Sequence, residues 1–176
     1  MADLHPDNPY AKDRFPDPNK TVEFPAEAKK RFDWILTRYP NKEAALLPVL
    51  HLAQEVWGWI APETVMYISE LLDLSPADVF GVVSFYNMYN QKPVGKYHLQ
   101  VCTNLSCMVT NAYDIYDHLC AKLHVKPGET TPDGLYTVTE VECLGSCGTA
   151  PVVQVNNDYH ENMSVEKMND LLTRLT

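Results

Sequence analysis

The stretch Tyr97-His98-Leu99-Gln100-Val101-Cys102-Thr103-Asn104-Leu105-Ser106-Cys107 reads as a short strand that runs into a loop closed by two cysteines. Tyr97 to Val101 alternates apolar and polar residues, the period of a half-buried strand. The pattern recurs downstream. Leu135 to Val141, rich in Thr, Val and Tyr, leads into Glu142-Cys143-Leu144-Gly145-Ser146-Cys147-Gly148. Each cysteine pair therefore lies in a loop at the end of a predicted strand. Where two such strands are neighbours, the loops face each other and four thiolates surround one site.

Working outward, Ala112, Ile115, Tyr116, Leu119 and Leu123 form a helical stripe between the two strands. Val152 to Val155 reads as a further strand, with Asn156-Asn157-Asp158 turning into Tyr159-His160. Ser164 caps a last helix through Met168, Leu171, Leu172 and Leu175. The second half is thus β-α-β-β-β-α, a small sheet with helices packed on it. Upstream, Asn90-Gln91-Lys92-Pro93-Val94-Gly95 reads as a linker. Residues 25–90 before it read as four short helices, a compact bundle. Pro25 suits a first helical position, followed by Ala28, Phe32, Ile35, Leu36 and Tyr39. Pro48 sets the start or a kink of the second helix, and Gly58 ends it. Pro62 opens the third, and Ser75-Pro76-Ala77-Asp78 caps the fourth. Trp34, Trp57, Trp59, Phe80 and Phe85 are expected to pack in the bundle's core or at an interface. Residues 1–24, spaced by Pro6, Pro9, Pro16 and Pro18, read as an extended arm. The expected organisation is therefore an arm at 1–24, a helical bundle at 25–90 and an α+β domain at 91–176.

The cysteines carry the chemistry. Ferric iron bridged by sulfide prefers thiolates, and a [2Fe–2S] cluster needs two per iron. Cys102, Cys107, Cys143 and Cys147 supply that number. Structural zinc also takes four cysteines, usually at closer spacing, so from spacing alone cluster, zinc, disulfides and unliganded thiols all remain open. The Rieske arrangement needs histidines paired with cysteines, and the plant-type ferredoxin spacing is absent. Gly145 and Gly148 are expected to allow positive φ and close backbone approach. Backbone amides and the Ser106 and Ser146 hydroxyls are candidate donors to sulfur, which raise a reduction potential. Glu140 and Glu142 would lower it. Cys120 falls on the apolar side of a helix and reads as a small buried residue. The six histidines show no metal spacing. No P-loop, G-x-G-x-x-G or G-x-S-x-G motif is present, so no hydride-transfer or hydrolytic site is expected in this chain.

Composition sets further bounds. Hydrophobic residues make up 45% and charged residues 21% of the 176, the range of ordinary globular chains. A formal net charge of -9 disfavours nucleic acid as a partner and suits a basic patch on another protein. Met1 to Lys20 lacks the apolar region of a secretory signal. No apolar run approaches the ~20 residues that cross a bilayer, so no direct membrane insertion is expected. The compartment is expected to be reducing, where paired cysteines serve metals or redox chemistry.

Both cysteine motifs, the latter continuing through Thr149-Ala150-Pro151, resemble the NuoE-type subunit of respiratory complex I, NADH:quinone oxidoreductase. Leu46-Leu47-Pro48-Val49-Leu50-His51-Leu52-Ala53-Gln54-Glu55 and Gly81-Val82-Val83-Ser84-Phe85-Tyr86 are similar to stretches of the same family. The likeness covers about residues 25–175. It implies a helical bundle followed by a thioredoxin-like [2Fe–2S] ferredoxin domain, with the cluster on Cys102, Cys107, Cys143 and Cys147. It implies a flavin-bearing partner of the NuoF type that carries FMN and NADH, alongside other peripheral-arm subunits. The cluster would exchange single electrons with that flavin, off the main chain of clusters. The bacterial form would sit in the cytoplasm, peripheral to the inner membrane through its complex. The related alternative is the same fold in an NAD-linked hydrogenase or formate dehydrogenase; the remote one is a zinc-stabilised adaptor. Met108-Val109-Thr110-Asn111 departs from the Arg/Gly character of many members, so partner contacts there are expected to differ.

Overall fold

The computed structural model describes residues 22–175. The expected arm at 1–24 lies outside the described residues as far as position 21. The chain divides into two compact units between Pro93 and Val94.

The first unit is helical. Its elements are α1 (Ala26–Leu36), α2 (Leu46–Trp57), α3 (Pro62–Leu72) and α4 (Pro76–Phe85). Pro25 stands at the N-cap of α1 rather than inside it. Pro48 is the third residue of α2, in the first turn where its missing N–H has no intrahelical acceptor to lose, so no kink is needed. Gly58 ends α2 at φ 79°, its N–H donating to the Gln54 carbonyl at 2.7 Å. At α4 the Ser75 hydroxyl accepts from the Asp78 N–H at 3.1 Å and donates to the Asp78 carboxylate at 2.7 Å. The stripes converge on a core that includes Val49, Leu50, Ile68, Leu72, Val79 and Val83.

Three sequence expectations change here. Phe24, assigned to the arm, is buried: it stacks on Trp57 at 5.0 Å, and its N–H donates to the Tyr67 hydroxyl at 3.0 Å. Tyr39 lies beyond the end of α1 and is exposed. Of the aromatics expected in the core or at an interface, Trp34, Phe80 and Phe85 are 62%, 48% and 79% exposed, which excludes the core for them and leaves the interface, because their positions fall on the outward sides of α1 and α4.

The second unit is built on a four-stranded sheet in the order β2-β1-β3-β4. Its strands are β1 (Tyr97–Cys102), β2 (Tyr136–Val141), β3 (Val153–Val155) and β4 (Asp158–His160). β1 and β2 are parallel, joined through α5 (Leu105–Met108) and α6 (Ala112–Leu123). β3 runs antiparallel to β1 and forms a hairpin with β4. α7 (Val165–Leu175) closes the chain, with the Ser164 hydroxyl accepting from the Lys167 N–H at 3.3 Å. Leu99, Val101, Val138, Val153 and Val155 join Ile115, Leu119, Met168 and Leu171 in one core. The β-α-β-β-β-α order is as expected. α5 and a 3₁₀ turn at Cys147–Thr149 are additions to it, because four- and three-residue pieces carry no periodicity.

Candidate metal centre

β1 and β2 are paired in register to their last residues, Cys102 opposite Val141. Parallel neighbours deliver the chain at the same end of the sheet, so both cysteine loops leave from one edge. The Cys102 N–H donates to the Val152 carbonyl and the Thr103 N–H to the Val141 carbonyl, each at 3.1 Å. Cys102 is therefore fixed by backbone on both sides. Asn104 caps α5, its side chain accepting from the Leu105 N–H at 2.8 Å. That single helical turn reverses the chain and carries Cys107 back beside Cys102. Both are buried, at 3% and 4% exposure for Cys107 and Cys102.

The second loop is held differently. Gly145 takes φ 74°, a conformation costly for a residue with a Cβ, and its N–H donates to Cys143 Sγ at 3.4 Å. The Tyr159 hydroxyl donates to the Leu144 carbonyl at 2.8 Å. The Ser146 hydroxyl donates to Glu161, and Thr149 Oγ1 donates to the same carboxylate at 2.8 Å. These two bonds hold the Glu161 carboxyl below the usual range, Ser146 contributing most. Ser146, expected to face sulfur, instead anchors the loop to the chain beyond β4. Gly148 does not use positive φ, and a Cβ at either Gly145 or Gly148 would meet open space. Cys143 and Cys147 are exposed.

Contacts across the site link the two loops. Cys102 Sγ donates to the Glu142 carbonyl at 3.9 Å. Thr103 Oγ1 donates to Glu140 Oε1 at 2.7 Å, and the Tyr113 hydroxyl reaches the same oxygen at 3.2 Å. The Cys107 thiol is pushed up to about 11, first by burial and then by Cys102, with Cys147 adding to it. A buried thiol pushed up in this way gains from a nearby cation, since positive charge beside it favours the thiolate.

All five cysteines are free thiols, with no disulfide among them. The fold brings Cys102, Cys107, Cys143 and Cys147 to one edge. Cys120 is elsewhere, half-buried on α6 beside Tyr116, its thiol raised chiefly by burial. A two-iron cluster needs two thiolates for each iron, and these four cysteines supply that number. The residues that sequence reasoning missed are Thr103, Tyr113, Tyr159 and Glu161. Their local signals are ordinary; only the packed site gives them partners.

The family model of the thioredoxin-like [2Fe–2S] ferredoxins matches residues 32–176. The NADH-quinone oxidoreductase subunit 2 of Thermus thermophilus is 47% identical over 141 residues, 78% of this chain and 78% of that protein. A subunit of the NADH-quinone oxidoreductase of Rickettsia typhi is 40% identical over 157 residues, 88% of this chain and 92% of that protein. Among solved structures, an NAD+-reducing [NiFe]-hydrogenase in the air-oxidized state superposes with a TM-score of 0.65 at 22% identity. The match covers 74% of this chain and 22% of the hydrogenase chain. At that identity the likeness speaks for fold alone.

Proposed function

Because this chain belongs to the thioredoxin-like [2Fe–2S] ferredoxin family, we propose that it is the electron-transfer subunit of an NADH:quinone oxidoreductase. Cys102, Cys107, Cys143 and Cys147 would hold its cluster, two thiolates for each iron. The observation that carries this assignment is the parallel pairing of β1 and β2, which sends both cysteine loops out of one sheet edge. When bound, the cluster accepts and returns one electron at a time without breaking a bond.

The chain's own residues supply placement and environment. Burial of Cys102 and Cys107 keeps water from one side of the site, and the Gly145 N–H steadies the Cys143 sulfur. The exposed Cys143 and Cys147 face outward, the side on which an electron partner must approach. Leu105, Met108 and Val109, adjoining Cys107 in the chain, and Tyr113 are also exposed and give that end an apolar surface suited to a protein partner. The partner is a flavin-bearing, NADH-binding subunit that holds FMN. Hydride chemistry belongs to that subunit, while this chain contributes to the oxidoreductase as a one-electron carrier. Among the described residues no helix is long and apolar enough to cross a membrane, so attachment to a membrane-bound complex runs through other subunits.

The test is iron and sulfide analysis of anaerobically purified protein, with electron paramagnetic resonance (EPR) before and after dithionite. About two irons and two sulfides per chain, with a spin-half signal only after reduction, is the expected result. One zinc, no sulfide and no signal after attempted reconstitution would overturn the proposal. Copurification then identifies the complex: quinone-reducing membrane subunits are expected, and a nickel–iron or molybdenum subunit would replace that assignment.

A further inference from the structure

Glu140 lies three residues before Cys143 on β2, and its carboxylate is engaged by two other elements. Thr103, the residue after Cys102, donates to Oε1 at 2.7 Å. Tyr113, in the first turn of α6, donates to the same oxygen at 3.2 Å. Hydrogen bonds to an ionised carboxylate are shorter and about twice as strong as neutral ones, and the Thr103 contact falls in that range. Two donors from separate elements also leave the Glu140 side chain little freedom to rotate. The contact spans the loop out of β1, the strand into the second loop and the helix that follows Cys107. β1 and β2 are laddered only to Cys102 and Val141, with one further backbone bond from Thr103. The bonds from Thr103 and Tyr113 to Glu140 add side-chain ties at the end of that ladder. The Glu140 carboxylate is exposed. It is also felt at Tyr116, whose phenol is pushed up to about 12, chiefly by burial with Cys120 and Glu140 adding to it.

We propose that Glu140, gripped by Thr103 and Tyr113, is a positioning residue that locks the two cysteine loops at the separation the cluster needs and leaves a fixed negative charge beside it. This rests on the electron-transfer assignment above. The carboxylate does not bind iron. It acts through the loops, as a clasp, and through its charge, which disfavours adding an electron and holds the potential low.

The experiment uses the full chain with its cluster, in three variants: Glu140→Gln, Glu140→Ala and the double Thr103→Val/Tyr113→Phe. The Gln side chain keeps an oxygen for both hydroxyls and removes only the charge. It is expected to load iron and sulfide as the parent does and to keep the EPR line shape. Its reduced-to-oxidised ratio at a fixed potential should rise roughly threefold or more, an upward shift of ~28 mV or more for a one-electron couple. Glu140→Ala and the double variant open the clasp, so both should lose the cluster to a chelator several-fold faster and show a broadened signal. Gln rescues lifetime and line shape where Ala does not. Parental chelator lifetimes and line shapes in both Ala and the double variant would overturn the clasp. An unmoved potential in Gln would overturn the role of the charge. If the parent chain itself binds no iron and sulfide, the electron-transfer assignment fails and takes this proposal with it. If the parent is loaded and the variants match it, only this proposal fails.

Discussion

His98 sits on β1 with Nε2 2.8 Å from Thr139 Oγ1 and its backbone N–H donating to Asn156 Oδ1 at 2.9 Å. Burial pushes its imidazole down to about 4. The unfolded chain takes up that proton near pH 6.5 and the folded chain only near 4, so the unfolded state gains protons first as pH falls. The stability tied to neutral His98 is complete above about pH 6.5 and is lost as pH drops through about 4. His98→Gln should therefore lose less stability than the parent between pH 7 and pH 4.5, by about 2–3 kcal/mol in denaturant titrations. Parallel curves for parent and variant would refute the buried neutral imidazole. The cysteines divide just as sharply. Serine at Cys102, Cys107, Cys143 or Cys147 is expected to abolish or destabilise the visible absorption of the cluster, whereas Cys120→Ala keeps it. Absorbance after identical anaerobic reconstitution decides between them, and a colourless Cys120→Ala protein would break the ligand assignment.

Single elements depend on small local devices. Ser75 caps α4 through reciprocal bonds with Asp78, and Ser75→Ala should cost about 1 kcal/mol, read as a lower unfolding midpoint with an unchanged denaturant slope. Gly95 matters by proximity. A Cβ there would meet backbone atoms of Leu135 and Tyr136 at 2.9 Å, where β1 and β2 begin their pairing. Backbone cannot step aside as a flexible side chain can, so Gly95→Ala should destabilise the sheet by about 1–3 kcal/mol. Circular dichroism across a urea series measures this. A fully parental midpoint would mean that the two strands part more easily than their ladder suggests. The second cysteine loop shows the same dependence at larger range, since Tyr159 and Glu161, on β4 and just after it, hold a loop that has no ladder of its own.

Over the whole chain, two separate cores support the two units. Their probes are also separate. All three tryptophans, Trp34, Trp57 and Trp59, belong to the helical unit, while the four cysteines proposed as cluster ligands belong to the other. Tryptophan fluorescence therefore follows the first unit and cluster absorbance the second. Leu50 and Leu119 are both fully buried, one in each core. Leu50→Ala should cost about 2–5 kcal/mol and lower the fluorescence midpoint, and Leu119→Ala should do the same to the bleaching midpoint. How far each variant also moves the other probe measures the coupling between units. If neither midpoint moved, the assignment of these leucines to stabilising cores would be wrong.

The sequence by itself determined what depends on neighbours along the chain. Pro62, Ser75 and Gly58 mark helix ends because capping is a matter of a few consecutive residues. The alternation of Tyr97–Val101 marks β1, and four cysteines in two pairs mark a candidate soft-metal site because thiolates are the donors that iron and sulfide demand. Phe24, Trp34, Phe80 and Phe85 escape such a reading because hydrophobicity gives a preference for burial but not the direction in which a side chain points. Only the tertiary structure decided the order β2-β1-β3-β4, the parallel pairing that gathers the loops, and the unequal burial of the two cysteine pairs. It also decided the bond between Thr103 and Glu140, 37 residues apart. The physical reason is that strand order and such contacts are set by competition among distant segments for one core, and no local stretch records that competition's outcome.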